Sequence, residues 1–134
     1  VKEHPSFLTL DEVLALHADQ IERYRGTLGL RDLGLLKSAL ATPRATFGGA
    51  FLHPSLEEMT AAYLYHLVQN HPFADGNKRV GLASAIAFMG LSDRWLEAPE
   101  DEIVELVLGV GSGRVSKAEV AVFVREHGED FRGR

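Results

Sequence analysis

Cysteine is absent from the 134 residues. That excludes disulfides and thiolate chemistry and is compatible with a reducing cytoplasm. No apolar run approaches the roughly 18–20 residues that a bilayer-spanning helix needs, and no signal-peptide pattern opens the chain. A cytoplasmic protein without membrane contact is expected. Excess positive charge is also missing. The formal net charge is −5, and both halves of the chain are net negative. Without a cationic footprint to release counterions from phosphates, direct nucleic-acid binding is not expected. Alternating strand patterns and internal repeats are lacking too. The length suits one domain, 1–134, around one core.

What remains is helical. Thr9-Leu10-Asp11-Glu12, Ser55-Leu56-Glu57-Glu58 and Ser116-Lys117-Ala118-Glu119 each match the capping box, a hydroxyl followed three residues later by glutamate. The first opens a stripe of Val13, Leu14, Leu16, His17, Ile21 and Tyr24 that ends at Gly26. A second helix is predicted from Asp32 to before Pro43. The third, from Ser55 to about Asn70, is apolar on most of its circumference and so central to the core. A fourth carries Val80 to Met89 and closes at Gly90. A fifth starts at Pro99 with Glu100, Asp101 and Glu102 in its first turn. The sixth, after Ser116, ends at Gly128, and 128–134 reads as a frayed tail. The fold class is all-α, a compact single-domain bundle of about six helices. Gly109 to Gly113, GVGSG, has no preceding strand and reads as a linker rather than a phosphate loop.

Between the third and fourth helices lies NHPFADGNKRV, residues 70–80. A helix starting near Asn77 leaves about four N–H groups unpaired, and these with the helix dipole make an anion site. Gly76 permits close approach of a ligand. Lys78 and Arg79 add two positive charges where a purely structural helix start would favour acids. Asp75 beside them would repel phosphate unless a divalent cation lay between, and Mg²⁺ is commonly held by one or two carboxylates together with phosphates. His71, on a segment read as extended because Pro72 follows, supplies the side chain best suited to proton transfer near neutral pH. A base, a metal carboxylate and an anion cradle together describe phosphoryl or nucleotidyl transfer.

The run His71-Pro72-Phe73-Ala74-Asp75-Gly76-Asn77-Lys78-Arg79 resembles the core motif of the Fic/Doc superfamily in its death-on-curing (Doc) form. Residues 7–22, 29–49 and 101–111 are similar to flanking regions of that family. The resemblance implies an all-α toxin fold, encoded with an antitoxin whose C-terminal segment blocks the groove. It also implies ATP- and Mg²⁺-dependent phosphorylation of a Ser/Thr hydroxyl, with elongation factor Tu as the family's candidate target. By resemblance, His71 is the base and Asp75 holds Mg²⁺ through the phosphates. Gly76 and Asn77 shape the anion hole, Lys78 and Arg79 bind phosphate, and Phe73 anchors the loop. Adenylylating Fic members have glycine where this chain has Lys78, so adenylyl transfer is the alternative on the same scaffold. A catalytically silent, antitoxin-binding domain is the reading from a different class. Val80 departs from a threonine common in relatives, and Gly90-Leu91-Ser92-Asp93 lacks an expected Asn-Gly turn.

Other side chains carry less. A zinc site from His66, His71 and Asp75 is disfavoured, because Pro72 breaks the helical register and no HExxH pattern exists. Tyr63, Tyr65, Phe88 and Trp95 read as core or groove wall. Glu97, Glu100, Asp101, Glu102 and Glu105 read as a helix start with a solvated face.

Overall fold

The computed structural model describes residues 5–131. Six helices are arranged as α1 (Leu10–Tyr24), α2 (Leu33–Ala41), α3 (Leu56–Asn70), α4 (Asn77–Leu91), α5 (Glu100–Ser112) and α6 (Lys117–His127). All three capping boxes form. Thr9, Ser55 and Ser116 accept the N–H of Glu12, Glu58 and Glu119 through their side chains, and each glutamate accepts the cap residue's own N–H in return. Asp32 caps α2 by accepting the Leu35 N–H at 2.9 Å.

The centre of the molecule is the α3–α4 pair. Along α3, Met59, Tyr63, Leu64, Leu67 and Val68 are buried, as the all-round apolar pattern requires. One apolar cluster joins α3 to α1 and α2 through Val13, Leu36, Tyr63, Phe73 and Phe88. A second joins it to α5 and α6 through Leu64, Val68, Met89, Val110 and Val120. Gly81 sets the helix spacing: a Cβ there would lie 2.8 Å from Val68 Cγ2 and 3.2 Å from the Leu64 carbonyl oxygen. Deep burial makes the core sensitive to truncation. Removing the Phe73 ring, 1% exposed, is expected to cost about 3–5 kcal/mol.

Several boundaries differ from the sequence reading. His71 is not extended but caps α3 in the left-handed region (φ 53°, ψ 52°), tied by Arg31, whose Nε donates to the His71 carbonyl at 2.8 Å. Gly90 does not close α4. The helix runs to Leu91, and Asp93 (φ 61°) takes the left-handed turn position, for which aspartate is among the better-suited non-glycine residues. The expected linker 109–113 is the last turn of α5 with Gly113 (φ 84°) as its left-handed cap. The expected tail also departs in part. Gly128–Asp130 (β4) pairs antiparallel with Arg94–Leu96 (β3), while 132–134 lie outside the described residues. A second ribbon pairs Thr46–Phe47 (β1) with Ala50–Phe51 (β2) around Gly48 and Gly49. Strands this short carry no readable alternation. Among the described residues, no helix is long and apolar enough to cross a membrane.

Candidate active site

The loop 71–76 joins the two central helices and is braced from three sides. Phe73 is driven into the core and stacks on His17, ring centroids 3.7 Å apart. His17 is 2% exposed, and its Nε2 lies 2.7 Å from the Asp75 carbonyl oxygen, to which it donates. The segment before α2 forms the second brace. Arg31 and Asp32 N–H groups donate to the Pro72 carbonyl at 2.8 and 2.9 Å, and the Ala74 N–H donates to Gly29 O at 3.0 Å. Asn77 is the third. Its buried amide accepts the Phe73 N–H at 2.9 Å and donates to the Phe73 carbonyl at 3.0 Å. These bonds orient the amide, so its remaining N–H faces His71 Nδ1 at 3.2 Å. A neutral His71 then carries its proton on Nε2.

α4 begins without a cap. Gly76 (φ 78°) stands at the N-cap with no side-chain hydrogen bond, and the first turn holds no acid. Among the described residues, every other α-helix has a side-chain cap or acids in its first turn. The main-chain N–H groups that begin α4 are therefore left to an anion. They border a cavity of about 170 Å³ lined by His71, Ala74, Asp75, Gly76, Asn77, Lys78 and Arg79. A volume below the ~300–1,000 Å³ of whole-ligand pockets suits the phosphate part of a nucleotide.

The charged groups around the cavity are placed by their neighbours. Asp75 accepts the Gly76 N–H at 2.8 Å on Oδ1 and the Thr27 N–H at 3.1 Å on Oδ2. The N–H groups of Thr27 and Gly76, helped by Arg79 and His17, hold its carboxyl below the usual carboxylate range. Its side chain is 44% exposed and lies 3.9 Å from Arg79, a separation that leaves both charges available to a ligand. Two N–H bonds do not exhaust a carboxylate's acceptor capacity, so Asp75 fits a role as one oxygen ligand of Mg²⁺. Arg79 Nη1 donates to the Arg25 carbonyl at 3.0 Å. Lys78 is exposed, and its stem crosses Gly111 in the last turn of α5, where a Cβ would lie 3.3 Å from Lys78 Cδ. Val80, by contrast, is wholly buried in the core.

All six polar or glycine positions singled out from the sequence thus line one cavity. His66 does not join them. It lies with His53 about Lys117, each Nε2 at 3.0 Å from the Lys117 amine, and burial pushes its pKa down to about 4. Sequence reasoning missed the supports: His17, Gly26, Thr27 and Arg31. Only His17 left a signal, a histidine on the apolar stripe of α1.

The fold is built on a helix pair, with a braced loop feeding an uncapped helix start between a histidine and two cations. The chain belongs to the Fic/DOC family, whose model matches residues 7–89. It is similar to "Toxin Doc" of Mycolicibacterium smegmatis, 41% identical over 78 residues, a match that takes in 58% of this chain and 60% of that relative's length. It is also similar to "Protein kinase doc" of Escherichia phage P1, 31% identical over 116 residues, covering 86% of this chain and 90% of that one.

Proposed function

We propose that this chain is the toxin of a toxin–antitoxin pair and transfers the γ-phosphate of ATP to a Ser/Thr hydroxyl of a target protein. The observation that carries this reading is the uncapped start of α4, with Lys78 and Arg79 beside it. Three phosphate oxygens would take the place that a capping side chain fills elsewhere. His71 accepts the hydroxyl proton, the freed oxygen bonds to the γ-phosphorus, and the bond to the β-phosphate oxygen breaks to release ADP. Acceptance at Nε2 requires the imidazole proton to sit on Nδ1, so in the reacting tautomer the Asn77 amide gives up its contact with Nδ1. Mg²⁺ on Asp75 would neutralise phosphate charge. Lys78 favours γ-phosphate transfer over adenylyl transfer, because its bulk and charge occupy the place of the glycine in adenylylating relatives.

The printed name of the phage P1 relative, "Protein kinase doc", supports the same reaction. Elongation factor Tu is the candidate target and arrested translation the outcome in a cytoplasmic setting. The C-terminal segment of a cognate antitoxin is the partner that would block the groove. The test is transfer to lysate proteins from γ- and α-labelled ATP in parallel. Label from the γ position alone is expected. Label from the α position would replace this reading with adenylyl transfer.

A further inference from the structure

The turn after α1 reaches across to the cavity and holds two of its charged groups by main-chain atoms alone. The Thr27 N–H donates to Asp75 Oδ2 at 3.1 Å, and the Arg25 carbonyl accepts from Arg79 Nη1 at 3.0 Å. The Tyr24 ring adds a face to the same guanidinium, its centroid 5.9 Å from Arg79 Cζ. Between these contacts stands Gly26 with φ 137°, a backbone conformation that L side chains avoid. A Cβ at Gly26 would lie 2.6 Å from Asp75 Oδ2 and 3.3 Å from Arg79 Nη2. Both are inside ordinary van der Waals contact, and the first is too short to exist.

The carboxylate has little room to retreat with its main chain. Asp75 O is held by His17 at 2.7 Å, the neighbouring Ala74 N–H by Gly29 O at 3.0 Å, and Phe73 by the core. A side chain at position 26 would therefore rotate the Asp75 carboxylate off the Thr27 N–H and turn it within the cavity.

We propose that the Arg25–Thr27 turn is a positioning element of the active site, with glycine required at 26 so that its main chain can set the Asp75 carboxylate and the Arg79 guanidinium on the phosphate cavity. The inference rests on the phosphotransfer reading for its kinetic consequence, but not for its geometry. Arg79 and Asp75 are both flexible enough to leave the cavity, and a main-chain clamp fixes them at smaller entropic cost than two further side chains would.

The test uses the full chain with Gly26→Ala, and Gly113→Ala as a control. Gly113 also has a positive φ, 84°, with nothing within 4 Å of its added carbon, so it carries some backbone strain without displacement of a charged group. Gly26→Ala is expected to lower kcat for γ-phosphate transfer at least about tenfold and to raise the Mg²⁺ concentration at half-maximal rate, measured below the Tm of the variant. Gly113→Ala should leave both kinetic quantities unchanged. Amide NMR reads the clamp without any activity. The Thr27 N–H should be protected from exchange in the wild type and lose protection in both Gly26→Ala and Asp75→Ala. If Gly26→Ala fails to fold, Asp75→Ala alone decides: loss of Thr27 protection supports the clamp and retention overturns it. Wild-type kinetics in folded Gly26→Ala also overturn it. A wild type that transfers no phosphate, yet shows Asp75-dependent Thr27 protection, sinks the kinase reading and keeps the clamp.

Discussion

The starts of α4 and α6 answer the same electrostatic problem in opposite ways. Each places a lysine in its first turn, where the positive end of the helix dipole disfavours a cation. In α6, Ser116 and Glu119 close a capping box, and the Lys117 amine lies between the imidazoles of His53 and His66, 3.0 Å from each. The orphan N–H groups meet a carboxylate that the chain supplies itself. In α4, Gly76 offers no side chain, and the exposed Lys78 lines an open cavity together with Arg79. The anion that would satisfy those groups has to be brought by a ligand. A closed helix start contributes stability; an open one leaves its N–H groups to be satisfied from outside the chain.

The largest effect should come from His71, the base of the proposed transfer at the open start. His71→Ala is expected to reduce γ-phosphate transfer by about 100-fold or more, ~2.7 kcal/mol of transition-state stabilisation, with unchanged far-UV circular dichroism because the side chain is exposed. Wild-type transfer by this variant would leave α4 as an anion site without a base. Lys78→Gly comes next, with a loss of about tenfold, ~1.4 kcal/mol, measured with γ- and α-labelled ATP on one purified acceptor. Full activity would make Lys78 as passive as a solvated surface lysine.

At the closed start, the readout moves from rate to stability. Ser116→Ala should cost about 1 kcal/mol in urea unfolding and leave transfer unchanged; a fall in transfer would mean that the two helix starts are coupled. The smallest effect is pH-linked. Burial and the nearby Lys117 lower the pKa of His66 from 6.5 to about 4 in the folded chain. The unfolded state therefore binds the extra proton more readily. Stability from this group is complete above about pH 6.5 and declines as pH falls toward 4. Discounted for the half-exposed ring, the loss is under ~1 kcal/mol, and His66→Gln should flatten that part of a Tm-against-pH profile.

The capping boxes at Thr9, Ser55 and Ser116 were legible because their bonds join residues three apart. So was the cavity, whose lining residues lie within nine consecutive positions. What was read wrongly depends on neighbours distant in the chain. Nothing local announces that Gly128–Asp130 pairs with Arg94–Leu96. Nor does the GVGSG composition show that packing of α5 against the α3–α4 pair would carry the helix through it, with Gln69 Nε2 donating to the Val110 carbonyl at 2.6 Å. His71 was misjudged because a preference of residues before proline gave way to the left-handed cap of α3, braced by Arg31.

By itself, the sequence determined where helices begin, which one is central, and which polar side chains gather at the start of α4. Those are local properties: hydrogen bonds across one turn, apolar periodicity, and the charge of adjacent residues. Only the tertiary structure decided what holds those side chains in place. His17 lies 58 positions from the carbonyl it binds and Thr27 48 positions from the Asp75 carboxylate. Contacts across such separations leave no periodic trace in the sequence, because they arise when the core closes and brings α1 and its following turn against the loop between α3 and α4.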